Sequence, residues 1–396
     1  MVDRKKIVTF IVFLIICTAE SSLVHCVNAG SLNRGVVLSD DKGKIIYAEN
    51  LEKQFIPASV LKILTSLAAF EILGENYRFS TQYLFDNSSR NLFIKGFGDP
   101  LFISEVIEKL CSEIILKTRT EQIHNIILDH TYFAGQIRIP GKGGSLNPYD
   151  ASVGALCANF NTINFKWSSQ QEKFVSGETQ TPLLPMFYKE IQQSGLNRGR
   201  ILLSRQQIFL YPGLLIKYFL EQHNIKVTGS VLLNNLNAGG RKTYSFKSPF
   251  NLTDIVQKLL KFSNNFIANQ LLLVMGAKKS GEPATVVKGL KAVNLFSQQS
   301  LNLKNIIIHE GSGISRSNLI TPGQMLKILL KFMPYHSLLK RSGKDFYKTG
   351  TLSDVRTRAG YILGDDSRLY PYVIMVNQEG KGYDSVLADL IERVGG

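Results

Sequence analysis

The stretch "FIPASVLKILTS" occupies Phe55–Ser66. From within it and onward, the apolar positions Val60, Leu61, Ile63, Leu64, Leu67, Ala68 and Phe70 wrap much of a helical circumference. That pattern predicts a central, buried helix. Pro57 suits its entry and Gly74 its exit. Two polar residues interrupt the apolar surface. Ser59 and Lys62 stand three apart, one turn, on one face. A serine hydroxyl is a weak nucleophile until a base lies beside it. A lysine amine becomes such a base when burial or a second cation lowers its pKa. The stretch is therefore either a core helix that happens to hold both residues, or a nucleophile with its base built in.

On the N-terminal side, "RGVVLSDDKGKIIYAEN" (Arg34–Asn50) has the form of a β-hairpin turning at Asp41-Lys42-Gly43. On the C-terminal side the texture changes from about Tyr77 to Tyr244. Short strand-like runs alternate with turns there: "STQYLFD", "NLFIKG", "NIILD", "TINFKW", "RILLSRQQIFLY" and "GSVLLNN". Two helical stretches, near 102–117 and 212–224, interrupt them. "NAGGRKTYSF" (Asn237–Phe246) reads as a return linker. Helices follow at "NLTDIVQKLLKF", "FIANQLLLVMG" and "TVVKGLKAVNLFSQQ", then a strand at "NIIIHEG" and a helix at "GQMLKILLKFM". Strands at "DFYKTGTL", "RAGYIL" and "YPYVIMVNQ" and a last helix at "DSVLADLIERV" end the chain. The expected fold class is α+β: one antiparallel sheet packed by helices and built from both ends of the chain. A mainly β module is inserted. The expected divisions are 30–76 with 245–396 for the main domain and 77–244 for the insertion.

Residues 1–29 have the form of a secretory signal. Arg4, Lys5 and Lys6 precede the apolar "IVTFIVFLIICT" (Ile7–Thr18), and "VNAG" offers small residues around Ala29. The apolar run is shorter than the ~20 residues that span a bilayer. The expectation is an exported, soluble protein, periplasmic or extracytoplasmic, with at most peripheral membrane contact. Removal of 1–29 leaves Cys111 and Cys157. Export permits a disulfide between them. Cys111 lies on the helical stripe Val106, Ile107, Leu110, Cys111, Ile114 and Ile115, which favours two buried thiols.

The 396 residues carry a net charge of +15. Arg4, Lys5 and Lys6 against Asp3 and Glu20 give 1–29 a charge of +1, so +14 remains beyond them. Such a field favours anionic polymers or surfaces. The positive residues are scattered and no nucleic-acid motif accompanies them, so no nucleic-acid partner is expected. The histidines show no metal spacing, "HEGSG" lacks a zinc helix's second histidine, and "GQIRIPGKGG" lacks P-loop spacing. No metal or cofactor is expected.

The motif Ser-x-x-Lys is weak by itself, and the chain holds a second copy at Ser337-Leu-Leu-Lys340. Ser-x-Asn occurs at Ser31, Ser89, Ser145, Ser263 and Ser300, and Lys-(Ser/Thr)-Gly at Lys279 and Lys348. Order and context choose among them. Ser263-Asn264-Asn265 separates two helices, so its side chains can leave the helical surface. Lys348-Thr349-Gly350 lies in a strand whose edge can meet an extended peptide. Lys279-Ser280-Gly281 reads as a helix stop before Pro283, and no Ser-x-Asn separates Ser337 from Lys348.

The ordered set Ser-x-x-Lys, Ser-x-Asn, Lys-Thr-Gly is that of penicillin-binding proteins and serine β-lactamases. With "PASVLKILTS", "IKGFGDPLF", "NPYDASVGALCANFNTINF", "LLKFSNNFIANQLLL", "EGSGISRSNLITP" and "YKTGTLSDVRTRAGYI", the chain from Ser31 onward resembles the D-alanyl-D-alanine carboxypeptidase/endopeptidase group of low-mass, class C penicillin-binding proteins, of the penicillin-binding protein 4 type. The resemblance implies a β-lactamase/transpeptidase-like sheet with a large insertion after the nucleophile helix. It implies that Ser59 attacks the penultimate D-Ala carbonyl of a peptidoglycan stem peptide and that Lys62 takes its proton. Ser263 relays a proton to the leaving amine and Asn265 holds the substrate amide. Lys348 and Thr349 receive the terminal carboxylate, and Lys348 helps to lower the pKa of Lys62. Gly350 lets the peptide approach, and the N–H groups of Ser59 and Thr351 form the oxyanion hole. β-Lactams would be covalent inhibitors. His309-Glu310 departs from the group's usual residues before Gly-Ser-Gly and is expected to support the site. Ser312 and Arg316 shape a turn beside the cleft. Asp150 is a turn residue or a reader of a substrate amine. The competing readings are an idle peptidoglycan-binding scaffold and a β-lactamase.

Overall fold

The hairpin forms β1 (Arg34–Ser39) and β2 (Ile45–Glu49), paired antiparallel. Its turn is pinned by Asp40 Oδ1, which accepts the N–H groups of Lys42 and Lys44 at 3.0 and 2.8 Å. The computed structural model describes residues 33–143 and 151–395. The expected leader and Asp150 fall outside them. After the hairpin a 3-10 turn, Ala58–Val60, feeds α1 (Leu61–Leu73). Every residue of α1 from Leu61 to Phe70 is buried, Lys62 included. Gly74 ends the helix at φ 92°.

The insertion follows as β3 (Arg78–Asp86), β4 (Asn91–Gly96), α2 (Ser104–Thr118), β5 (Gln122–Ile123) and β6 (Ile126–Asp129). It continues as β7 (Thr162–Ser168), β8 (Lys173–Ser176), α3 (Tyr188–Gln193), β9 (Arg198–Leu202) and α4 (Arg205–Gln222). It closes with β10 (Lys226–Val227), β11 (Val231–Leu233) and β12 (Tyr244–Asn251). The strands form sheets ordered β11-β6-β4-β3-β12, β8-β7-β9 and β10-β5. Two expectations change here. "SRQQIFLY" is helical, because Ser204 and Gln207 form a reciprocal capping box that starts α4 seven residues before Pro212. The stretch ending the insertion is a strand: β12 pairs with β3, so Tyr244 opens a sheet edge instead of closing a linker.

The remaining elements are α5 (Leu252–Phe262), α6 (Asn265–Ser280), α7 (Val286–Leu301), α8 (Pro322–Phe332), β13 (Lys340–Ser342), β14 (Asp345–Leu352), β15 (Val355–Leu363), β16 (Leu369–Asn377) and α9 (Asp384–Gly395). The main sheet is antiparallel throughout, in the order β13-β14-β15-β16-β1-β2. Strand periodicity sorts its side chains between two faces. Val37, Ala359, Tyr361, Val373 and Met375 join α1, α5, α6, α7 and α8 in one core. Val36, Leu38, Tyr372, Ile374 and Val376 meet Val386 and Leu390 of α9 on the other face. A second core runs from Tyr83 to Phe246, mostly within the stretch expected as the insertion, while Phe79, Leu101, Phe133, Ala155 and Cys157 of that stretch join the main core. Residues from Asn33 onward nonetheless form one compact unit.

The expected strand "NIIIHEG" does not form. Ile307 and Leu319 make an isolated bridge. Beyond it the N–H groups a ladder would use go to side chains, His309 N–H to Asn318 Oδ1 and Gly311 N–H to Asn269 Oδ1, both at 2.8 Å, and the backbone then turns around the Glu310 carboxylate. Cys111 and Cys157 are free and buried. None of the described helices is long and apolar enough to cross a membrane.

Candidate active site

Three elements bring the ordered motifs together. Ser59 sits in the 3-10 turn at the head of α1, and Lys62 lies on the first turn of the helix. Between α5 and α6 the chain breaks for local reasons. Ser263 caps α5 in the left-handed conformation (φ 54°), and Asn264 caps α6 by accepting the Ile267 N–H at 3.1 Å. Asn265 is then the first residue of α6, aimed back at α1. Lys348, Thr349 and Gly350 lie on β14. Its neighbour β13 pairs only with Asp345–Tyr347, so from Lys348 onward that edge has no strand partner. Ser59, Ser263, Asn265, Thr349 and Thr351 line one cleft of about 400 Å³.

Lys62 is wholly buried, and its Nζ donates to Ser59 Oγ at 2.8 Å, Asn265 Oδ1 at 2.7 Å and the Ser312 carbonyl at 2.6 Å. Burial pushes its pKa down to about 7, against an opposing pull from the Glu310 charge. Lys348 Nζ donates to Ser263 Oγ at 2.8 Å and to the Thr349 carbonyl at 2.6 Å. Its pKa is driven well below the ordinary lysine value, first by burial and then by the charge of Lys62. Two buried ammonium groups repel each other, so the second proton is the harder to hold. The expected help from Lys348 to Lys62 does not register: burial lowers the Lys62 pKa against the Glu310 charge, and the repulsion between the two amines falls on Lys348.

The backbone is packed as tightly as the side chains. A Cβ at Gly350 would lie 2.3 Å from Thr357 Oγ1 and 2.7 Å from the Ser59 nitrogen. A Cβ at Gly313 would lie 1.8 Å from the Ala58 carbonyl oxygen. Ala58 itself is held at φ 47°, a conformation costing about 1–2 kcal/mol outside glycine. Strain of this kind persists where surroundings over-determine the backbone. Here the surroundings are β14, the Gly313 turn and the hydrogen bond from Thr357 Oγ1 to the Pro57 carbonyl at 2.8 Å.

Sequence reasoning gave Glu310 a supporting part but missed its extent. The carboxylate is fully buried. It accepts Ser312 N–H and Oγ–H and Gly313 N–H, each at 2.6 Å, and Asn318 Nδ2 at 2.8 Å. It thereby fixes the turn whose Ser312 carbonyl holds Lys62. Asn269 completes the link, donating to Glu310 Oε2 and to the Asn265 carbonyl, both at 3.2 Å. The available signal was a pair of polar residues, Asn269-Gln270, inside an otherwise apolar helix. Arg316 pairs with Asp354.

A family model described as "D-Ala-D-Ala carboxypeptidase 3 (S13) family" matches residues 24–199 and 200–342. The D-alanyl-D-alanine carboxypeptidase of Actinomadura sp. (strain R39) is 21% identical over 86% of this chain and 77% of that protein. The D-alanyl-D-alanine carboxypeptidase DacB of Haemophilus influenzae is 24% identical over 76% of this chain and 69% of that protein. The crystal structure of Haemophilus influenzae penicillin binding protein 4 superposes with a TM-score of 0.73 at 19% identity, covering 91% of this chain and 95% of that one. A predatory peptidoglycan endopeptidase of Bdellovibrio bacteriovorus gives 0.55 at 17% identity, covering 92% and 93%. The fold is thus the expected one, and the chain belongs to the D-Ala-D-Ala carboxypeptidase 3 (S13) family of serine peptidases.

Proposed function

We propose that this chain is an exported serine peptidase that removes the terminal D-Ala from peptidoglycan stem peptides, also cuts D-Ala cross-links, and is acylated by β-lactams. The observation that carries this reading is the fully buried Lys62 amine, 2.8 Å from Ser59 Oγ and with a pKa of about 7. A lysine so placed is neutral part of the time near neutral pH and can take the serine proton.

Ser59 Oγ attacks the penultimate carbonyl carbon as its proton passes to Lys62. The oxyanion is held by the N–H groups of Ser59 and Thr351, at the head of α1 and on the open edge of β14. Collapse breaks the C–N bond, and the Ser263 hydroxyl relays to the leaving amine the proton that Lys62 took, so that both side chains return to their starting state. Lys348 and Thr349 receive the terminal carboxylate, while Asn265 holds the substrate amide. Water then hydrolyses the ester, releasing the shortened peptide and restoring Ser59. The relatives support the substrate class: two are named D-alanyl-D-alanine carboxypeptidases, and one structure of the Bdellovibrio endopeptidase is acylated by penicillin G. The basic, apolar and small-residue pattern of 1–29 supports export. The second core, from Tyr83 to Phe246, supports treating residues 77–244 as an inserted domain.

Labelled penicillin tests the reading. The wild-type chain should carry label on Ser59, and Ser59→Ala should carry none. An unlabelled wild type, or equal label on both, would sink it. An idle scaffold would instead bind muropeptides equally well with Ser59→Ala and release no D-alanine.

A further inference from the structure

A second cavity, also about 400 Å³, opens on the far side of the Ser263 break. Phe262 lines both it and the catalytic cleft, and Asn264 lines the second cavity alone. Ser263 therefore sits in the partition between the two. One wall comes from α5 and α6, the other from the insertion. The insertion's wall is firmly built. Asn159, Phe160 and Asn161 form three successive left-handed residues, at φ 45°, 57° and 53°. Asn159 fixes that turn by accepting the Ser104 N–H at 2.9 Å and donating to Ser104 Oγ and Tyr211 Oη at 2.9 and 3.2 Å. Phe160 then packs edge-on against Phe266 of α6, with centroids 5.7 Å apart. Strain held this firmly in a wall beside a catalytic break points to use rather than accident.

The lining mixes an apolar floor, Leu101 and Ile267, with charges of both signs. Glu178 and Arg200 neutralise each other at 2.8 Å. Glu105 and Lys258 have no ion-pair partner among the described residues, although Lys258 Nζ lies over the Phe250 ring. The cavity thus offers one uncommitted anion and one uncommitted cation over an apolar base. That suits an amino-acid or peptide group carrying its own carboxylate and amide or amine groups.

We propose that this junctional cavity is a leaving-group subsite that receives the second stem peptide of a cross-linked substrate. The inference rests on the function proposed above and extends it. In that reaction the departing amine takes its proton from Ser263, beside the partition. A lone D-alanine fills only the cleft. An amine that belongs to a second peptide continues past Phe262, and two or three extended residues, about 7–10 Å, enter the cavity. The chemistry is unchanged: the Ser59 ester forms, the C–N bond breaks, the amine is protonated, and water hydrolyses the ester.

The test compares two substrates of the full chain, a cross-linked muropeptide dimer and a monomeric pentapeptide. Lys258→Glu removes the free cation, and Gln180→Trp crowds the cavity from an exposed rim position. Each variant should lower kcat/KM for the dimer about tenfold or more. D-Alanine release from the pentapeptide and acylation by penicillin should stay within about twofold of wild type. Equal losses on both substrates, unchanged dimer cleavage, or a wild type that releases D-alanine yet leaves the dimer uncut would overturn the subsite. A wild type that penicillin does not label would overturn the underlying function and the subsite with it.

Discussion

The chain contains Ser-x-x-Lys twice, and the two copies could hardly differ more in what the fold makes of them. Ser59 and Lys62 lie on consecutive helical turns, the serine half-buried at the cleft and the lysine fully buried and bonded to three oxygens. Ser337 lies in a 3-10 segment, Met333–Leu338, and Lys340 opens β13; both are exposed. Leu339 between them is extended, at ψ 163°, so the spacing that stacks two side chains on a helix separates them here. The two Lys-(Ser/Thr)-Gly copies differ in the same way. Lys279-Ser280-Gly281 is the exposed end of α6, whereas Lys348 is buried on β14 against Ser263. The lesson is that spacing supplies adjacency only. The chemistry comes from desolvation and from a second set of partners that neither motif contains.

The comparison breaks most sharply at the nucleophile. Ser59→Ala should lower acylation by penicillin and D-alanine release by about 10⁴-fold or more, while Ser337→Ala leaves both unchanged; intact-mass spectrometry reads the adduct directly. At the base, Lys62→Ala should cost about 10²- to 10⁴-fold in acylation rate. Lys340→Ala should stay close to wild type in the same stopped-flow assay. The glycines come next. Gly350→Ala puts a Cβ against the Ser59 nitrogen and should cost about 1–3 kcal/mol of stability, with a fall in acylation rate. Gly281→Ala meets nothing within 4 Å, so only its positive φ is penalised, by about 1–2 kcal/mol, and acylation should not change. Thermal melts beside acylation rates separate the two outcomes.

The smallest effect concerns pH. Lys62 must be neutral to accept a proton, and its pKa is about 7. Acylation by penicillin should therefore rise as pH increases through about 7. The Glu310 charge raises that pKa, so Glu310→Gln should move the rising limb to lower pH. A limb that stays put would mean that Glu310 acts on the turn's geometry alone.

Much was legible in advance where the physics is local. The hairpin, α1, the α5–α6 break and strands β14 to β16 follow from apolar periodicity, caps and turn residues, and they form where the sequence puts them. The misreadings came where a side chain outside the pattern took control. Gln207 answered Ser204 and started α4 early. Asn318 and Asn269 took the His309 and Gly311 N–H groups that would have extended a strand after Ile307. Neither interaction appears in a hydrophobic pattern, because each depends on one polar group finding partners in three dimensions.

By itself the sequence determined the inventory of candidate site residues and its order, because residue type and spacing along one helix or strand are covalent facts. It also determined that α1 would be central, since a helix apolar on nearly all sides has nowhere else to go. Only the tertiary structure decided which Ser-x-x-Lys is a site. The amine at position 62 loses its water because α1, α6 and the Glu310 turn close over it, and desolvation is a property of the packed surroundings rather than of the lysine. The same packing set Asn265 against Lys62, left the β14 edge open beyond Tyr347, and put a second cavity behind Ser263. Each joins residues far apart in the chain, where spacing carries no information about distance.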